Sequence, residues 1–284
     1  MWRRLRRGGA AAGARVRSAT WGQPKVHSAL DPVRRARWSW REAVVRRRTG
    51  GVAAVAGPRS PQLVVVSPHL DDAVLSCTGL LVAHPGARVV TAYTGGPARW
   101  IGLTEWDDAC GFEAGEDVMA ARKAEDRTAL DLLGARPVWL DLVEGQYEPR
   151  PGPAEVADRL RRALEDLTPA PLLLAIPLGL SHPDHVTVSD AILGLRAAGV
   201  LAEARWLVYG DLPYLERTPA DGHQRTAELH ERGVALQPIG APPADRELKR
   251  AAIHRYRTQV RPLWKEVHLA LREERLWSLD AGEG

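Results

Sequence analysis

Leu63-Val64-Val65-Val66-Ser67-Pro68-His69-Leu70-Asp71-Asp72 sets four consecutive apolar residues, three of them β-branched, against one imidazole and two carboxylates. A short apolar run of this kind, closed by turn-forming residues, reads as a strand buried on both faces. In parallel α/β sheets the chemistry sits in the crevice outside the carboxyl ends of the strands. Further along, the chain repeats the arrangement, with Leu172-Leu173-Leu174-Ala175-Ile176 running into Ser181-His182-Pro183-Asp184-His185. Two such strand ends suggest a single site.

Between and around these stretches, strand and helix patterns alternate. Strands are expected near 63–67, 88–93, 137–141, 172–176 and 204–208. Helices are expected at 73–84, 116–133, 152–167 and 186–198, each with apolar residues three to four apart and a Gly or Pro near one end. This is the signature of βαβ units, so the fold class is α/β, a Rossmann-like, mainly parallel sheet flanked by helices over residues 61–284. No G-x-G-x-x-G follows the first strand, which removes support for a dinucleotide site. The tail departs from alternation: 224–239 reads as a pair of short strands, and helices are expected over 245–258 and 262–277, covering the sheet and walling a pocket.

Composition narrows the function classes. The 284 residues are 45% hydrophobic and 26% charged, and no run approaches the roughly 18 apolar residues of a membrane span. The two cysteines, Cys77 and Cys110, stand in no metal-type or redox-type spacing, so both read as structural thiols and a reducing cytoplasm is the expected location. Residues 1–60 hold 15 Lys/Arg against 2 Asp/Glu, whereas the remaining 224 residues hold 24 against 33. The basic balance therefore belongs to an N-terminal arm, and the body needs no polyanionic partner. Arg15 and Arg17 interrupt the Gly/Ala stretch where a secretory h-region would lie, so a signal peptide is not expected. Carrying Trp2, Trp21, Trp38 and Trp40, the arm has the makings of a membrane-surface or nucleic-acid contact, but a solvated, poorly ordered tail with a short helix at 33–48 is the expectation. Met1 is the only methionine before Met119, so a start codon placed too early is a further reading.

The residue types at the two strand ends point to metal-assisted hydrolysis. A hydrolytic zinc takes three His or carboxylate ligands and keeps one position open for water. Asp71 and Asp72, adjacent at a turn, point in different directions, so one can ligate while the other works on water. His182 and His185 flank Pro183-Asp184, which lets one imidazole bind metal and the other face the substrate, and Asp184 can orient a histidine. The competing reading is helix capping, since Asp at a strand end is a common N-cap. Two such clusters at two strand ends are hard to explain as caps.

These motifs resemble the LmbE-like, or PIG-L-type, zinc-dependent de-N-acetylases over about residues 61–260. The resemblance rests on Pro68-His69-Leu70-Asp71-Asp72, Thr78-Gly79 and His182-Pro183-Asp184-His185, with secondary support from Arg122-Lys123-Ala124-Glu125-Asp126 and from Lys249 through Tyr256-Arg257-Thr258-Gln259. It implies one zinc ion on His69, Asp72 and His185, with Asp71 as general base. It also implies that a protonated His182 stabilises the oxyanion or protonates the amine, and that Asp184 tunes His182. Thr78 replaces the first glycine of the usual pair, and Leu178-Gly179-Leu180-Ser181 lacks the tyrosine that some members place near the scissile carbonyl.

Substrate contacts are less marked. Arg122, Asp141 and Glu144 are candidate substrate-binding residues, with a solvated Arg122–Glu125 ion pair as the plainer alternative. Trp100 and Trp106, in the long loop 95–115, can stack on a sugar face or cover the core. The expected function is removal of an acetyl or similar acyl group from an N-acyl amino sugar or its conjugate, the sugar being implied by the resemblance alone. The alternatives are a metal-dependent amidase acting on a non-sugar amide and a non-catalytic, metal-stabilised binding module. The expected partner is a small-molecule glycoconjugate, with no nucleic acid.

Overall fold

The computed structural model describes residues 61–99, 101–167 and 172–279. The basic arm, its expected helix at 33–48 and Trp100 lie outside the described residues. Elements follow in the order β1 (Gln62–Ser67), α1 (Asp72–Ala83), β2 (Arg88–Gly95), α2 (Glu105–Cys110), α3 (Val118–Leu132), β3 (Arg136–Val143) and α4 (Pro153–Glu165). They continue with β4 (Leu172–Pro177), α5 (Pro183–Ala197), β5 (Arg205–Tyr209), α6 (Tyr214–Arg217), α7 (Pro219–Glu231), β6 (Gln237–Ile239), α8 (Arg246–Ile253), α9 (Val267–Ala270) and β7 (Leu276–Ser278). The five expected strands and the four expected helices are all present, within a few residues at their ends.

The sheet order is β3-β2-β1-β4-β5-β7-β6, with the first five strands parallel and β7 and β6 antiparallel at one edge. β1 pairs with β2 on one side and β4 on the other, so the winding reverses between β1 and β4. A crevice opens at the carboxyl ends of strands where winding reverses, because the two crossovers leave in opposite directions. Both His/Asp clusters follow these two strands. Leu63–Ser67 and all of β4 are buried, which explains their unbroken apolar runs.

The tail differs from its reading. Residues 219–231 form α7, with Pro219 in its first turn and buried Gly222, Arg225 and Leu229 three to four residues apart. Only β6 within 224–239 is a strand, and it pairs with β7 from the far end of the chain. The expected helices over 245–258 and 262–277 shrink to α8 and the short α9, and residues 276–278 join the sheet. The loop 95–115 contains α2, capped by the Thr104 hydroxyl accepting from the Asp107 amide. No helix among the described residues is long and apolar enough to cross a membrane.

Candidate active site

β1 delivers His69, and the turn into α1 delivers Asp71 and Asp72. The Asp72 Oδ2 accepts the His69 backbone amide at 2.8 Å, folding the turn back on itself. From β4, Gly179 at φ 86° and Ser181 at φ 57° steer the chain so that α5 begins at Pro183 and places His185 beneath His69. A side chain at Gly179 would put its Cβ 2.7 Å from Ser189 Cβ, so this turn requires glycine twice over.

Three atoms converge. Asp72 Oδ2 lies 3.1 Å from His185 Nε2 and 3.4 Å from His69 Nδ1, and the two nitrogens are 3.3 Å apart. A tetrahedral zinc with bonds of about 2.0–2.1 Å has ligand–ligand edges of roughly 3.3–3.4 Å, so this triangle fits one face of such a site. His69, His182 and His185 also form a looser group, with one nitrogen of each within 4.8 Å of the others. The His69/Asp72/His185 triangle is tighter and mixes nitrogen with carboxylate oxygen, and it leaves His182 on the open side.

Each triangle histidine is held from behind. His185 Nδ1 meets Asp211 Oδ1 at 2.7 Å, and Asp211 Oδ2 accepts the Gly179 amide at 2.9 Å. A donor at Nδ1 leaves the Nε2 lone pair facing the triangle, the usual role of a carboxylate behind a ligating histidine. On the other ring, His69 Nε2 meets Asp184 Oδ2 at 3.2 Å. The resemblance assigns Asp184 to His182, but the structure sets its carboxylate nearer His69, with His182 Nδ1 at 3.8 Å. Asp184 touches His182 through its backbone amide, which donates to His182 Nδ1 at 3.2 Å. His182 can then carry its proton on Nε2.

Electrostatics divide the roles. Burial opposes the cation of His69 and His185, yet Asp184 and Asp72 hold His69 well above its usual range, and Asp72 and Asp211 push His185 up to about 9. Burial also opposes the Asp72 carboxylate, but His185 and His69 keep it below the normal carboxylate range. Asp71 goes the other way: burial and the neighbouring Asp72 raise it well above that range. Burial, reinforced by His69 and His185, lowers His182 to about 4, so this imidazole is neutral at pH 7 rather than protonated as expected. Asp184 is lowered to about 2, with His69 and Arg150 outweighing its burial. The Asp71 carboxylate makes no capping hydrogen bond to α1, which removes the capping reading for this residue.

The three substrate-contact candidates fare differently. Arg122 is 2% exposed, with Nη2 on Asp107 Oδ1 at 2.8 Å and Nη1 on Glu144 Oε1 at 3.3 Å, so it ties α2 and α3 to the segment after β3. Both its ion pairs are to acids of neighbouring segments, and its partners are not Glu125, which instead accepts from Thr258. Asp141 is turned outward, 63% exposed, and pairs with Lys123 at 2.6 Å. Glu144 is half-buried, bonded to Arg122 and Gln146, and close enough for its charge to act on His69. Trp106 is exposed on α2.

Sequence reasoning missed Asp211, Tyr93 and Tyr214. Asp211 had a signal, since Trp206-Leu207-Val208-Tyr209 is a third apolar strand running into an acid. Tyr93 and Tyr214 place their rings 5.8 Å from His69 and 5.1 Å from His185. Nothing local marks either tyrosine.

The family model described as PIG-L, GlcNAc-PI de-N-acetylase, matches residues 64–195. Among solved structures, a deacetylase triple mutant of the teicoplanin biosynthetic pathway aligns with TM-score 0.60 at 22% identity, covering 78% of this chain and all of its own. The zinc-inhibited form of teicoplanin deacetylase aligns with TM-score 0.58 at 21% identity, covering 78% and 100%. The A40926 pseudoaglycone deacetylase aligns with TM-score 0.58 at 22% identity, covering 78% and 98%. At such identities these likenesses establish the fold. No curated protein matches the chain in sequence. The match to the PIG-L family model over residues 64–195 takes in both His/Asp clusters and the strands that carry them, so the part of the chain that forms the site is the part similar to that family.

Proposed function

We propose that this protein is a zinc-dependent N-deacetylase that removes an acetyl or similar acyl group from an N-acyl amino sugar or its conjugate. The observation that carries the reading is the triangle of His69 Nδ1, Asp72 Oδ2 and His185 Nε2 beside the uncapped carboxylate of Asp71. The amino-sugar part draws on the family match and on the activities named for proteins of the same fold.

His69, Asp72 and His185 would hold the ion. Bound there, zinc supplies a Lewis acid that makes water easier to deprotonate and polarises the amide carbonyl. Asp71 takes the proton from the attacking water, a task matched to a carboxyl whose pKa is raised towards neutrality. His182, neutral with its proton on Nε2, donates a hydrogen bond to the oxyanion as it develops. A divalent cation held by His69, Asp72 and His185 would add to the positive charge beside His182 and so favour its role as a neutral donor. The proton on Asp71 then passes to the departing nitrogen as the C–N bond breaks, giving carboxylate and free amine.

The test is amine release from N-acetylglucosamine, its glycosides and simple N-acyl amines by zinc-loaded protein. Turnover of the sugar substrates that is lost in His69→Ala and His185→Ala supports the reading. Equal rates on simple N-acyl amines would remove the sugar from it, and full zinc occupancy in both variants would remove the site.

A further inference from the structure

We infer that Arg150 is a positioning residue for this centre, acting through Asp184 to hold His69 in its metal-binding orientation; the inference rests on the ligand assignment proposed above. Arg150 lies in the β3–α4 connection, distant in sequence from both clusters. Its Nε donates to Asp184 Oδ1, while Asp184 Oδ2 reaches His69 Nε2 at 3.2 Å. His69 Nδ1 is then left for the triangle with Asp72 and His185. Asp184 is 2% exposed and has one oxygen for each neighbour, so the guanidinium occupies the oxygen that His69 does not use. Without that partner the buried carboxylate is free to rotate away from His69.

The guanidinium has a prepared seat. It lies against Gly145, where an added Cβ would come within 2.8 Å of Nη2, 3.0 Å of Cζ and 3.3 Å of Nε. A glycine there leaves the guanidinium room beside the backbone, in the position from which its Nε–H reaches Asp184. The side chain is 36% exposed, so it bridges solvent and the buried carboxylate. The Arg150–Asp184–His69 chain parallels Asp211 behind His185, with one difference: Asp211 is anchored by the Gly179 amide, whereas Asp184 is anchored by a side chain.

The experiment measures zinc affinity by chelator competition for the parent protein, Arg150→Met, Arg150→Lys, Gly145→Ala, Asp184→Asn, His69→Ala, and Arg150→Met combined with Asp184→Asn. Loss of a partner behind a metal ligand costs about 10–100-fold in affinity. Arg150→Met is expected to weaken zinc by about tenfold, Gly145→Ala to shift it the same way, and Arg150→Lys to recover most of the loss. In the Asp184→Asn background Arg150→Met is expected to add nothing, because the two act as one chain. Melting of the metal-free proteins is expected to stay close to the parent, separating positioning from general destabilisation. Parent-like zinc affinity in Arg150→Met would overturn the inference, as would a loss that adds fully to that of Asp184→Asn. A parent protein whose zinc affinity is unchanged by His69→Ala would overturn the ligand assignment itself, and the inference with it.

Discussion

Asp71 and Asp72 are adjacent carboxylates with opposite electrostatic fates, and the difference is a matter of neighbours. Asp72 lies against two imidazoles, while Asp71 has burial and a like charge. Asp71→Asn is therefore expected to keep zinc while lowering kcat by about 10²–10⁴-fold, the usual worth of a general base. Zinc content and steady-state rates check it together, and a parent-like kcat would rule out the base assignment. Asp211 calls for the opposite readout. Asp211→Ala is expected to weaken zinc about 10–100-fold, because the His185 ring loses the partner that fixes its tautomer. Competition with a chelator measures this, and an unchanged affinity would show that His185 is oriented by packing alone. The identities of the histidines and acids were readable from their place at strand ends. Which carboxylate serves which imidazole was not, since Asp184 sits two residues from His182 yet directs its side chain to His69.

At the scale of the element, α1 shows how much a departure from pattern can hide. Its backbone leaves helical geometry at Cys77, and the Gly79 amide donates to Glu274 Oε2 at 3.0 Å. Glu274 in turn pairs with Lys249 at 2.7 Å, both buried, so the kinked helix is clasped by α8 and by the segment before β7. Thr78, in place of glycine, is buried with its hydroxyl donating to the Val74 carbonyl at 2.6 Å, so its polar atom is satisfied beside the kink. Gly79 has no such latitude: an added Cβ would stand 2.1 Å from the Pro242 carbonyl oxygen. Gly79→Ala is expected to destabilise by about 2–3 kcal/mol, roughly 5 °C or more in Tm, and thermal unfolding of the metal-free protein checks it. A Tm equal to the parent's would mean that the Pro242 segment yields freely. The helices and parallel strands were legible because each buries a periodic face. α7 was misread because its buried positions include Gly222 and Arg225, which carry no apolar signal. Arg225 is buried through bonds to Asp190, Glu228 and the Leu178 carbonyl, partners that only the packed structure supplies.

Across the whole molecule, buried acids stitch distant segments together. Asp126 on α3 accepts from Trp139 Nε1 at 2.8 Å and from Tyr256 Oη at 2.9 Å, joining α3, β3 and the C-terminal region. Burial raises its pKa from 3.8 to about 6 despite these two donors. A folded pKa above the unfolded one means that the associated stability is fully present below about pH 4 and is lost as pH rises through about 6. Asp126→Asn removes this dependence, so relative to the parent the variant is expected to gain roughly 1.4 kcal/mol between pH 5 and pH 7.5. Urea unfolding at the two pH values measures the difference. A parent–variant gap that does not change with pH would refute the assignment.

The apolar runs of β1 and β4 were enough to determine a parallel sheet with His69, Asp71, Asp72, His182 and His185 at its carboxyl edge, because burial on both faces and a turn at the end are local properties of the chain. The strand order that brings β1 beside β4, the carboxylates of Asp184 and Asp211 behind the two imidazoles, the seat of Arg150 on Gly145 and the burial of Arg122 were decided only by tertiary structure. Each is a pairing between segments far apart in the chain. Its partner is chosen by sheet register and close packing, which no stretch of sequence carries by itself.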